Sequence, residues 1–170
     1  MNSNVKRCVV SVVLSLMSGL IGFHQLQISP KGLELLANAE GCRLKPYQCT
    51  AGTWTNGIGN TAGVVPRHII NERQAAADLI SNILIVQQRL ATCLKVKPPQ
   101  SVMDMLISLG FNVGAGQVCH SRMLILTNQG QWRQACRQLP RWIYIKGVKS
   151  QALLARRGRE LQWCMQDLPS

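Results

Sequence analysis

Residues 40–60 read EGCRLKPYQCTAGTWTNGIGN, and the change of character inside this stretch decides the architecture. Ser29-Pro30 opens the preceding segment with a residue able to cap a helix and another suited to its first turn. Leu33, Leu36 and Ala37 then recur at helical spacing, which predicts a helix ending near Glu40. From Tyr47 onward Gly, Thr and Asn dominate, with Trp54 and Ile58 interspersed, a pattern of short strands and tight turns. Asn71 can cap a long helix whose apolar stripe is Ala75, Leu79, Ile83, Val86 and Leu90, ending before Pro98-Pro99. Further helices are predicted over 101–112, 121–128, 131–139 and about 150–165. The expected fold class is α+β, with a small β-hairpin lobe and a mainly helical C-terminal lobe over residues 29–170.

A chain of 170 residues at 46% hydrophobic can bury one sizeable core. Its net charge of +12 favours polyanionic partners: nucleic acid, anionic lipid or bacterial wall. No basic recognition helix, zinc-finger spacing or aromatic RNA-binding signature is present, so no nucleic-acid partner is expected. Seven cysteines without a C-x-x-C pair argue for disulfides in an oxidising compartment such as the periplasm; neither a metal nor a cofactor is expected.

Lys6 and Arg7 precede the uncharged run Cys8 to Phe23, CVVSVVLSLMSGLIGF. As one helix it would be about 24 Å long, short of a ~30 Å hydrocarbon core unless His24 to Ile28 are drawn in. Ser11, Ser15, Ser18, Gly19 and Gly22 dilute it, and no A-x-A cleavage pattern follows. Residues 1–28 are therefore read as a retained, weakly held membrane-anchor helix, with a cleaved signal or a permanent anchor as the alternatives. The positive flank keeps the N-terminus cytoplasmic and places the remainder beyond the inner membrane.

Glycosidic hydrolysis needs a proton donor for the leaving oxygen and a second group to activate water or attack the anomeric carbon. The acids are Glu34, Glu40, Glu72, Asp78, Asp104, Glu160 and Asp167, and Glu40 alone closes a helix directly before the turn-rich sheet. The pattern Glu40-Gly41-Cys42-Arg43, Pro46-Tyr47 and Gly52-Thr53-Trp54-Thr55-Asn56-Gly57-Ile58-Gly59-Asn60 resembles the phage-type lysozymes of glycoside hydrolase family 24. That motif is a Glu, an acid nine positions later, a Thr six positions after that, and a Gly-x-Gly turn; Glu40, Cys49 and Thr55 occupy those places. Phe111-Asn112-Val113-Gly114 and Arg156-Arg157 with Glu160 extend the resemblance from about Ile28 to Met165.

The resemblance implies a lysozyme-like fold acting on peptidoglycan, with Glu40 as general acid and Thr55 positioning water or substrate. Cys49 stands where the family usually has Asp, so a thiolate would replace the carboxylate as base, nucleophile or electrostatic stabiliser. Both an inverting outcome and a covalent intermediate stay open. Thr53 and Thr55 lie two apart and are expected on one side of a strand; the motif spacing selects Thr55. Trp54 reads as a packing residue, Asn60 replaces a common His and receives no role, and Arg156, Arg157 and Arg159 line either the wall-binding side or a solvated helix face.

Cys8 lies within the anchor, and Cys42, Cys49, Cys93, Cys119, Cys136 and Cys164 are exported. A Cys42–Cys49 bond would consume the proposed catalytic sulfur, and attack by Cys8 on Cys42 after release would liberate Cys49 by thiol exchange. This arrangement resembles the signal-anchor-release endolysins that carry a cysteine in the anchor and another at the catalytic acid position. The order of helices favours Cys93 with Cys164 and Cys119 with Cys136, although spacing does not encode connectivity. A monomer is expected, bound to the inner membrane through residues 8–28 and later soluble in the periplasm. The competing readings are a non-enzymatic cationic wall-binding or membrane-disrupting protein and, within enzymes, a lytic transglycosylase.

Overall fold

A computed structural model describes residues 8–49, 52–166 and 168. The positive flank Lys6-Arg7 lies outside the described residues, as does Asp167. The chain forms two compact units, one taking the residues up to Leu26 together with Leu36–Leu84, the other Gln27–Leu35 together with Ile85–Ser170.

In the first unit the apolar N-terminal run does not form one long helix. Helix α1 covers Val10–Met17 and buries Val13 and Met17, a turn follows, and Phe23–Gln25 form a single 3-10 turn. The break falls where Ser18, Gly19 and Gly22 interrupt the apolar sequence. Gly22 has φ +89, a conformation that glycine adopts without steric cost, and a Cβ there would lie 3.1 Å from the side chains of Ile80 and Leu84. Among the described residues no helix is long and apolar enough to cross a membrane.

Helix α2 runs Pro30–Glu40. Its start is fixed in the second unit, where the Ser29 hydroxyl accepts from Gly32 N at 3.0 Å and donates to Asp104 at 2.5 Å. Asp104 is fully buried and also accepts from Ser29 N at 2.7 Å, Gln100 Nε2 at 2.8 Å and Trp163 Nε1 at 2.8 Å, so donors surround the carboxylate.

Strands β1 (Arg43–Gln48) and β2 (Trp54–Gly57) form the expected antiparallel hairpin, pairing Arg43 with Gly57, Tyr47 with Thr55 and Gln48 with Trp54. The register shifts between Arg43 and Tyr47, where Pro46 has no N–H to give to a ladder. Beyond it Asn60 ties the Gly-x-Gly turn: its amide donates to Asn56 Oδ1 and Ala62 O, each at 3.1 Å, and its Oδ1 accepts from Asn82 at 2.9 Å. The sequence offered no role for this residue, and the structure makes it the organiser of the turn. Helix α3 spans Glu72–Ala91; Asn71 caps it by accepting from Gln74 N at 2.8 Å. Ala75, Leu79 and Ile83 are buried in the first unit with Leu36, Ala37 and Ile58.

The second unit is helical: α4 (Gln100–Val113), α5 (Ala115–Cys119), α6 (Arg122–Asn128), α7 (Trp132–Cys136) and α8 (Gln151–Met165). Ser121 and Ser150 cap α6 and α8 by accepting from the N–H groups of Leu124 and Leu153. The segment expected as one helix over 131–139 is instead α7 and a 3-10 turn at Leu139–Arg141. A second hairpin, β3 (Tyr144–Ile145) with β4 (Val148–Lys149), was not foreseen; it turns on Lys146 and Gly147, both at positive φ.

The disulfides of this unit correct the sequence expectation. Cys93 bonds Cys119 and Cys136 bonds Cys164, in place of Cys93 with Cys164 and Cys119 with Cys136. The cause is chain reversal. Helix α5 folds back after Gly114, bringing Cys119 to the turn after α3, where its sulfur reaches Arg89 O at 3.7 Å, while α7 packs on α8.

Candidate active site

The site lies in the first unit, and its first element is the end of α2. Glu40 is the last helical residue; Gly41, at φ +71, donates its N–H to Ala37 O at 3.0 Å and turns the chain out of the helix. Cys42 follows, buried, and is joined to Cys8 with a Cα–Cα distance of 5.3 Å. Glu40 is half-buried and lines a cavity of about 310 Å³ with Cys8, Gly41, Cys42, Arg43, Tyr47 and Gly57. The bond to the N-terminal segment thus forms part of the wall beside the proposed proton donor.

Cys49 and Thr55 sit at the closed end of the hairpin. Cys49 N donates to Thr53 O at 3.0 Å, and Gly52 N donates back to Cys49 O at 2.8 Å, forming the turn. Among the described residues Cys49 is the cysteine outside any disulfide, and it is half-buried. Thr55 is buried and donates its hydroxyl to Thr53 O at 3.2 Å, whereas Thr53 is exposed, so the two threonines differ in environment despite their spacing. Neither Cys49 nor Thr55 lines the Glu40 cavity. Tyr47 connects the two groups, since it lines that cavity and pairs across the hairpin with Thr55.

The basic residues of α8 are not where the sequence suggested. Arg156 and Arg157 line no surface and form no solvated face: both are buried in the second unit around Glu160. Arg156 Nε donates to Glu160 at 2.9 Å, Arg157 donates to the other carboxylate oxygen, and Ser108 adds a donor at 2.7 Å. Arg157 also donates to Asn112 of the Phe111-Asn112-Val113-Gly114 motif, so both C-terminal motifs join one internal network. Arg159 is exposed.

One feature escaped the sequence reading: the Arg43 guanidinium lies over the Tyr47 ring, 4.4 Å from its centroid. The signal was available in the alternation of β1, where Arg43 and Lys45 are exposed while Leu44 and Pro46 are buried.

Residues 37–160 match the family model described as phage lysozyme. The chain belongs to the phage lysozyme family. This phage lysozyme is a glycoside hydrolase with the lysozyme-like fold expected from the sequence, small antiparallel hairpins beside a mostly helical body. It is 33% identical over 173 residues to the SAR-endolysin of Escherichia phage P1, covering 95% of this chain and 92% of that one. The crystal structure of the active form of P1 phage endolysin Lyz matches it with a TM-score of 0.86 at 31% identity, over 96% of this chain and 97% of that one. The secreted inactive form of the same protein matches with 0.58 at 32% identity, over 84% and 97%. The structure described here is thus more similar to the active than to the inactive form of that endolysin.

Proposed function

We propose that this protein is an endolysin that hydrolyses the β-1,4 bond between N-acetylmuramic acid and N-acetylglucosamine in bacterial peptidoglycan, lysing the host cell. Residues 8–28 hold it in the inner membrane facing the periplasm until release, and disulfide exchange then activates it. The observation that carries this reading is the Cys8–Cys42 bond beside Glu40, with Cys49 left outside any disulfide.

Glu40 protonates the glycosidic oxygen as the C–O bond breaks. The Cys49 thiolate takes a proton from the attacking water, or bonds the anomeric carbon and is displaced by water in a second step. Thr55 holds the water or sugar near that sulfur. In the tethered state a Cys42–Cys49 disulfide withholds the sulfur; attack by Cys8 on Cys42 breaks that bond, forms Cys8–Cys42 and releases the Cys49 thiolate, with no net oxidation.

Mass spectrometry of purified sacculi digested with the soluble protein tests the reading. Reducing N-acetylmuramic acid ends are expected, and Glu40→Gln should lower the rate by at least about a hundredfold. Anhydro-sugar ends would instead identify a lytic transglycosylase, and undiminished lysis by Glu40→Gln would identify a membrane-disrupting protein.

A further inference from the structure

The cavity beside Glu40 contains a cation that the chemistry of bond cleavage does not use. Arg43 is exposed on β1, lines the cavity, and among the described residues pairs with no carboxylate. Its contact is with the face of Tyr47 at 4.4 Å, also a lining residue. A guanidinium stacked on an aromatic ring loses rotational freedom while its N–H edge stays available, which suits it to a planar, bidentate anion. Glu40, the carboxylate that shares the cavity, is the proton donor of the proposed reaction and must turn toward the sugar.

The proposed substrate supplies the anion. The glycan backbone is neutral, but the lactyl group of each N-acetylmuramic acid carries a peptide stem with carboxylates. A cation placed beside the group that protonates the glycosidic oxygen lies within one sugar of such a stem. We infer that Arg43, held by Tyr47, is a specificity-determining residue that binds a stem-peptide carboxylate, so that the enzyme prefers peptide-bearing glycan over bare glycan. The inference rests on the muramidase reading but can fail separately from it.

The test compares two substrates with the released full-length protein: intact sacculi, and glycan strands stripped of their stems by an amidase and then amidated at the lactyl carboxylates that this hydrolysis exposes. Arg43→Ala should raise KM on sacculi by about tenfold with kcat nearly unchanged, the scale of one exposed charge-assisted contact, and leave the kinetics on stripped strands as in wild type. Arg43→Lys should recover part of the loss, since it keeps the charge but not the fork. Wild-type enzyme on sacculi whose carboxyls have been amidated with a carbodiimide and ammonia should show the same KM rise, a measurement that needs no variant to fold. Equal impairment on both substrates would overturn the inference, as would wild-type indifference to amidation. Absence of hydrolysis by wild type on any substrate would instead refute the muramidase reading.

Discussion

Nine positions after Glu40 this chain carries sulfur, at the place where the motif it resembles has an acid. Sulfur can be locked in a disulfide and a carboxylate cannot, so in the proposed reaction Cys49 trades a permanently available group for one under redox control. If Cys49 acts as the thiolate, iodoacetamide should abolish lysis by the released enzyme. Cys49→Asp should keep activity within about tenfold of wild type and ignore the reagent, the carboxylate serving the same general-base role. Sacculus turbidity measured with and without alkylation checks this, and a wild type indifferent to alkylation removes the sulfur from the mechanism. At this scale the sequence offers Glu40, Cys49 and Thr55 as candidates because their spacing is local and the turn between them is short. Asn60 and the Arg43–Tyr47 pair were not legible there, because each draws its role from a partner whose position depends on the fold, Asn82 or the face of a neighbouring ring.

Among elements, helix starts were the most readable feature. Ser29, Asn71, Ser121 and Ser150 each accept from a backbone N–H of the helix they precede, and capping is a local interaction visible in sequence. Helix faces were harder. An Arg-Arg pair on a terminal helix looks solvated, yet on α8 it is buried, because Glu160 one turn on and Ser108 and Asn112 from α4 satisfy its donors. The arrangement makes Glu160 the sensitive member. Glu160→Gln would remove the charge that compensates two buried guanidinium groups, and it should lower unfolding stability by about 3–5 kcal/mol. Urea denaturation followed by circular dichroism would measure it; a loss below about 1 kcal/mol would mean that solvent reaches the network. The disulfides of this unit were illegible for a related reason: four cysteines allow three pairings, and only the reversal at Gly114 selects Cys93 with Cys119.

For the whole molecule, the Cys8–Cys42 bond spans a sequence separation of 34 and ties the N-terminal segment to the residue after the Glu40 turn. On the proposed route Cys8→Ser should leave soluble protein with Cys42 and Cys49 still joined. That protein should be inactive in non-reducing buffer, and dithiothreitol should restore activity. Lysis assays with and without reductant, beside non-reducing peptide mapping, check this, and full activity without reductant would rule the exchange out. The apolar residues of the N-terminal run suit the lipid-spanning helix of the proposed tethered state, while its serines and glycines allow the bend seen here. Those glycines are not equivalent. At Gly19 no atom lies near where a side chain would begin, but at Gly22 both backbone conformation and the Ile80 and Leu84 side chains oppose one. If residues 8–28 hold the protein in the membrane as proposed, a greasier side chain at position 19 would delay lysis. The same change at position 22 would delay it too, and the freed enzyme would then be unable to tuck its N-terminal run away.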